Sequence, residues 1–137
     1  MYYIKLIMKN NIFKFIIYLY YLSLVVLLFI YLFPGSIIGY LLYGDLSKQP
    51  NITNNPIGTY INHFLYFFYL TFLGLICNLR ERKLINSFLF LFILSFLIEF
   101  FHLFIPNRAF ELNDLLANSA GVLSTLFLFK LKKKFIT

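Results

Sequence analysis

Residues 84–105 read LINSFLFLFILSFLIEFFHLFI, with Arg80, Glu81, Arg82 and Lys83 just before them and Pro106, Asn107 and Arg108 just after. A helix needs about 20 apolar residues to cross the hydrocarbon core of a bilayer, and this stretch supplies them. No polar face recurs along it, and a helix apolar on every side is surrounded by lipid rather than water. Its two ionisable members, Glu99 and His102, stand close to Pro106, where the helix must stop. A transmembrane helix over 84–105 is the reading from which the rest follows.

Working outward, three more runs share that character. The first covers about 15–33 and is interrupted only by Ser23; the second covers about 58–79; the last covers about 112–131. The last run is the least apolar, because Asn113, Asp114 and Asn118 fall in its opening turns, and it inserts by packing against the other three. The first run exceeds the roughly 7–15 residues of a signal-peptide core, and no small-x-small cleavage pattern follows it. It is expected to stay as an anchor. Between the first two runs, residues 34–57 hold Pro34, Gly35, Gly39, Gly44, Pro50 and Pro56, so an outer loop is predicted. Its part 37–46 is apolar enough to lie in the membrane interface. The triplet Asn51-Ile52-Thr53 fits a glycosylation sequon, a pattern too short to carry weight.

Composition agrees with a lipid solvent. Charged residues make up 12% of the 137, against about 25% in soluble domains. Nineteen Phe cannot all be hidden in one small water-soluble globule. The net charge of +7 is spread over the ends of the apolar runs rather than along one face, which excludes nucleic acid as a partner. Lys5, Lys9, Lys14, Arg80, Arg82, Lys83, Lys130, Lys132, Lys133 and Lys134 share one side of the membrane; Lys48 and Arg108 are on the other. The positive-inside rule then places both termini in the cytoplasm, which requires an even number of spans. The fold predicted is an all-α bundle of four transmembrane helices in a single domain over 1–137. With Cys77 as the single cysteine, no intramolecular disulfide forms and no multi-cysteine metal motif exists.

This topology brings scattered polar residues to one depth. His63 enters on the second helix, Glu99 and His102 leave on the third, and Asp114 and Asn118 return on the fourth, all within roughly 10 Å of the outer boundary at 1.5 Å per residue. Arg108 sits in the turn above them. Glu99 and His102 share a helix face, and Asp114, Asn118, Gly121 and Thr125 form a small, polar stripe suited to close packing. Intramembrane ionisable groups are costly, so they pair or line a wet cavity. Either Glu99, Arg108 and Asp114 neutralise one another and pin the hairpin, or His63, Glu99, His102, Arg108, Asp114 and Asn118 form a functional site. Zinc or acid–base chemistry is conceivable for two His and two acids, but no tight motif such as HExxH supports it, and no metal or cofactor is assigned. Tyr66 and Tyr69 are expected to pack rather than join the cluster.

The segments EFFHLFIPNR over 99–108 and DLLANSAG over 114–121 together resemble the signature of the VanZ-like bacterial membrane proteins, and HFLY over 63–66 resembles an earlier element of that family. The likeness covers about half the chain, from Asn62 to Gly121. It departs at Thr59 and Tyr60, where the family often has an Asp-Lys pair, and at His102, where Gln is common. What the resemblance implies is a multi-pass protein of the bacterial cytoplasmic membrane with a cell-envelope role, in a family whose founding member is associated with teicoplanin resistance. The partners expected are the lipid bilayer and, at the outer leaflet, a lipid headgroup, a wall precursor or the glycopeptide. A non-enzymatic protein leads; the alternative is a membrane enzyme acting on a lipid-linked or peptide substrate. A proton relay or transporter ranks last, because no ladder of ionisable groups reaches the cytoplasmic side.

Overall fold

The computed structural model describes residues 2–48, 57–80 and 82–136, and the described residues are helical with no strand. The elements are α1 (Tyr2–Leu32), α2 (Ile37–Tyr43), α3 (Ile57–Asn78), a 3-10 turn (Leu84–Asn86), α4 (Phe88–Phe101) and α5 (Leu112–Ile136). Three helices hold stretches long and apolar enough to cross a membrane: Asn10–Leu32, Tyr60–Asn78 and Leu112–Leu131, the last being the least apolar. The chain is a helical membrane protein. The sequon at 51–53 lies outside the described residues.

The helix expected over 84–105 is shorter than its hydropathy suggests. Ser87 adopts an extended conformation, and its hydroxyl accepts from the Phe90 amide at 3.1 Å, so α4 begins at Phe88 with a serine N-cap. At its far end the chain passes into turns at His102. The α-helix proper has 14 residues, a length of about 21 Å, short of a bilayer's roughly 30 Å core. The 3-10 turn and the residues up to Ile105 make up the rest of the apolar segment.

The predicted loop also contains more order than expected. Ser36 caps α2 by accepting from the Gly39 amide at 2.9 Å, and Gly44 ends it with φ +69°, where its amide donates to the Tyr40 carbonyl. The chain then folds back under the helix, the Ser36 amide donating to the Leu46 carbonyl at 2.7 Å. A side chain at Gly39 would collide with the backbone of Lys48. Tyr40, Leu41, Leu42 and Tyr43 are exposed, as suits a helix lying in an interface. Asp45 closes the segment, accepting from the amide and hydroxyl of Ser47, and those bonds hold its carboxyl below the ordinary carboxylate range.

Helix α1 shows how the bundle divides lipid from core. Phe15, Tyr18, Leu22, Val25 and Phe29 are exposed at alternating spacings of three and four, whereas Tyr20, Ser23, Leu24, Leu27 and Tyr31 are buried on the other face. The exposed stripe is as apolar as the buried one, so lipid is its solvent. Helix α5 packs most extensively on α3 and also on α4, while α1 lies against α3 and α4. The α3–α5 contact is backbone to backbone at Gly121, where a Cβ would run into the Phe64 carbonyl and the Phe68 amide. Thr125, one turn on, donates to the Phe68 carbonyl at 3.1 Å or to its own helix at Gly121. The small, polar stripe of α5 therefore faces α3 at Gly121 and Thr125.

Candidate functional site

Four helices contribute to a buried polar cluster: the end of α1, the beginning of α3, the end of α4 and the beginning of α5. Their directions alternate, so residues far apart in sequence share one end of the bundle. Glu99 and Asn118 are fully buried, His102 is 4% exposed, Asp114 6% and His63 9%.

His63 stands between two residues of α5. Its Nε2 lies 3.4 Å from Asp114 Oδ2, and its Nδ1 lies 3.1 Å from Asn118 Oδ1. An amide oxygen only accepts, so the proton sits on Nδ1 and leaves an Nε2 lone pair directed at the carboxylate. Asp114 Oδ1 and Asn118 Nδ2 have no hydrogen-bond partner. On α4, His102 Nδ1 lies 3.2 Å from Glu99 Oε1, which also accepts from the Glu111 amide at 2.9 Å. His102 Nε2 donates to the Tyr31 carbonyl at 3.0 Å. Both ring nitrogens of His102 thus face oxygen, and satisfying them takes one proton more than a neutral imidazole and a carboxylate carry. Glu99 Oε2 is buried and has no partner.

Tyr31 separates the two imidazoles. Its ring meets His63 edge-on with centroids 5.0 Å apart and stacks on His102 at 6.2 Å. Nothing in the sequence sets Tyr31 apart from the other tyrosines, and Glu111 enters through its backbone, which carries no sequence signature.

Arg108 makes its hydrogen bonds elsewhere than in the reading, one of the two alternatives, in which it neutralises the acids. Among the described residues it forms no ion pair with Glu99 or Asp114; it donates from Nη2 to the Ile30 carbonyl at 2.8 Å and from Nε to the Phe33 carbonyl at 3.3 Å. The last carbonyls of a helix lack intrahelical donors and carry partial negative charge, and a cation satisfies both needs at the end of α1. The turn at Pro106 and Asn107 makes the reach possible, with Asn107 at φ +59°, a conformation Asn tolerates better than most residues. Burial pulls the Arg108 pKa down while Tyr31, Glu99 and Asp114 pull it up, and a guanidinium remains charged throughout.

Tyr66 and Tyr69 stay outside the cluster. Tyr66 donates to the Ser23 carbonyl at 2.9 Å, and Tyr69 shares a 3.0 Å bond with the Ser23 hydroxyl. Ser95, one turn below Glu99, bonds back to the Phe92 carbonyl of its own helix.

The cluster is rich in acceptors and poor in donors. One ring nitrogen of His63 and one oxygen each of Glu99 and Asp114 lie within 4.8 Å of one another, an arrangement of metal-ligand type contributed by three different helices. Chemically such a set holds a cation, shares protons, or accepts from a ligand's donor groups.

A family model described as VanZ/LLP1 matches residues 14–133. No curated protein and no solved structure matches the chain.

Proposed function

The chain belongs to the VanZ/LLP1 family, and on that premise we propose that it is a four-span protein of the bacterial cytoplasmic membrane with an outer-leaflet binding site. In this reading both termini are cytoplasmic, and α4 completes its crossing with the 3-10 turn and the residues after Phe101. The site comprises His63, Glu99, His102, Asp114 and Asn118, and Arg108 fixes the end of α1 beside it. The observation that carries the proposal is the set of buried, unpartnered carboxylate oxygens on Glu99 and Asp114. Unsatisfied buried acceptors are costly, and a membrane makes them more so, which favours a ligand that supplies donors. With Arg108 engaged by carbonyls, an amine- or hydroxyl-bearing part of a wall precursor, a lipid headgroup or a glycopeptide fits better than a bare phosphate.

Expression in a susceptible host tests the envelope role. Wild-type protein should lower teicoplanin susceptibility, and Glu99→Gln or His63→Gln at equal membrane levels should not. Unchanged susceptibility with the wild type removes the resistance version. The topology is tested separately, by labelling a cysteine placed in the C-terminal tail from either side of the membrane; external labelling would defeat the outer-leaflet assignment.

A second reading, a membrane enzyme on a lipid-linked or peptide substrate, draws support from Glu99 Oε2, a buried carboxylate oxygen with no hydrogen-bond partner, as a general base would offer. Full turnover by His63→Gln and Glu99→Gln variants in an assay with such a substrate would dismiss it.

A further inference from the structure

We propose that His63, Glu99 and Asp114 bind a divalent transition metal of the zinc class, with Asn118 and His102 holding its ligands in place. Metal binding of this kind depends on the cluster's geometry and not on the identity of the envelope ligand.

The contact between His63 and Asp114 is the first indication. At 3.4 Å it is longer than an ordinary N–H···O hydrogen bond, whose range is about 2.7–3.2 Å. Both atoms carry lone pairs, since the Nδ1 proton is committed to Asn118. Two lone-pair donors facing each other repel unless a proton or a metal cation lies between them, and a cation serves the unpartnered oxygens nearby as well. Ligands at about 2.0–2.1 Å from a tetrahedral ion are separated by about 3.3–3.4 Å, so the observed spacing is that of adjacent coordination positions.

The remaining parts follow the same pattern. Glu99 brings a second carboxylate from another helix, with its Oε2 fully buried and unpartnered, and its donor atom lies within 4.8 Å of the other two. Coordination requires that atom to stand about 2.0–2.2 Å from the ion, so the Glu99 side chain would have to close in when metal binds. One imidazole and two carboxylates form a mixed nitrogen–oxygen set, and three protein ligands leave a fourth position open. Each ligand is also held from behind. His63 donates its Nδ1–H to Asn118, as metal-bound histidines commonly do to an oxygen, and Glu99 Oε1 accepts from the Glu111 amide and lies 3.2 Å from His102 Nδ1. Such a cation would satisfy the same acceptors that otherwise call for donors, and would present its open position to the ligand proposed above.

The test uses the full chain in detergent, stripped with a chelator and dialysed against buffered Zn²⁺, with metal per chain measured by mass spectrometry. One Zn²⁺ per chain is expected in the wild type, falling to background in His63→Gln and Asp114→Asn. Asn118→Ala should weaken affinity by about 10–100-fold, the usual effect of losing an outer-shell partner. Co²⁺ in the wild type should give the visible absorption of a four-coordinate site, a readout that needs no variant. Wild-type protein that elutes as a single species yet takes up no more metal than Asp114→Asn overturns the proposal, as does undiminished uptake in both ligand variants. Failure in the susceptibility assay would leave the metal stoichiometry untouched, so the two ideas fall separately.

Discussion

The two ends of the bundle bury polar groups in opposite ways. At the end where α3 finishes and α4 starts, polar hydrogens go to backbone carbonyls: the Tyr20 hydroxyl donates to the Ile85 carbonyl, and the Cys77 thiol lies 4.0 Å from that of Ile16. Further along, Tyr66 and Ser95 do the same with Ser23 and Phe92. At the other end acceptors face acceptors, and carboxylate oxygens of Glu99 and Asp114 are left over. The first arrangement ties helices together through neutral groups, although the buried Thr71 hydroxyl lacks a hydrogen-bond partner. The second leaves buried acceptors over, the feature on which the proposed binding site rests, and proteins commonly give up stability to keep a site.

The largest test concerns Arg108, whose guanidinium donates to two backbone carbonyls. Arg108→Met removes two charge-assisted hydrogen bonds and leaves the Ile30 and Phe33 carbonyls without those donors. A loss of about 3 kcal/mol is expected, read as a lower unfolding midpoint in detergent. Stability within about 0.5 kcal/mol of wild type, the range of a neutral surface change, would mean that the guanidinium does not cap α1.

A smaller effect of opposite sign is expected a few residues away. Asp114→Asn replaces an acceptor with a donor in an acceptor-rich pocket, so in chelator-treated protein it should stabilise by about 1–3 kcal/mol, the cost of an unsatisfied buried group. Glu99→Gln should act in the same direction. Destabilisation by both variants in metal-free protein would erase the contrast between the two ends. Added Zn²⁺ should reverse the ranking, because ligand binding to the folded state stabilises the wild type alone.

The apolar segments and the meeting of the polar residues are legible in the sequence, and what escapes it does so for physical causes. Hydropathy identifies the segments because lipid imposes one requirement on every side chain that meets it. Alternating direction then predicts that His63, Glu99, His102, Asp114 and Asn118 meet. The start of α4 is not legible: one serine hydroxyl caps it, and the leucine and isoleucine ahead of that cap are equally apolar in a 3-10 turn. Sequence pairs Arg108 with the acids because it displays carboxylates and conceals carbonyls. Every residue has a backbone acceptor, so nothing at Ile30 or Phe33 marks them as partners. Helix α2 is closer to legible, since Ser36 and Gly44 are cap residues at either end of a short apolar run.

The smallest effect belongs to the apolar end. Tyr20 is fully buried, and its ring packs against Gly74 and the α4 side of the core while its hydroxyl reaches Ile85. Tyr20→Phe keeps the ring and deletes one donor, so about 0.5–1.5 kcal/mol should be lost, the usual net worth of a hydrogen bond. The carbonyl it leaves behind belongs to the 3-10 turn that precedes α4, so the change should be local. Amide exchange around Leu84–Asn86 should accelerate, while metal uptake and glycopeptide susceptibility stay at wild-type values. A Tyr20→Phe variant that altered metal uptake would mean that the two ends are energetically coupled through α3 and α4. Their different ways of burying polar groups would then belong to one device rather than to a frame and a site.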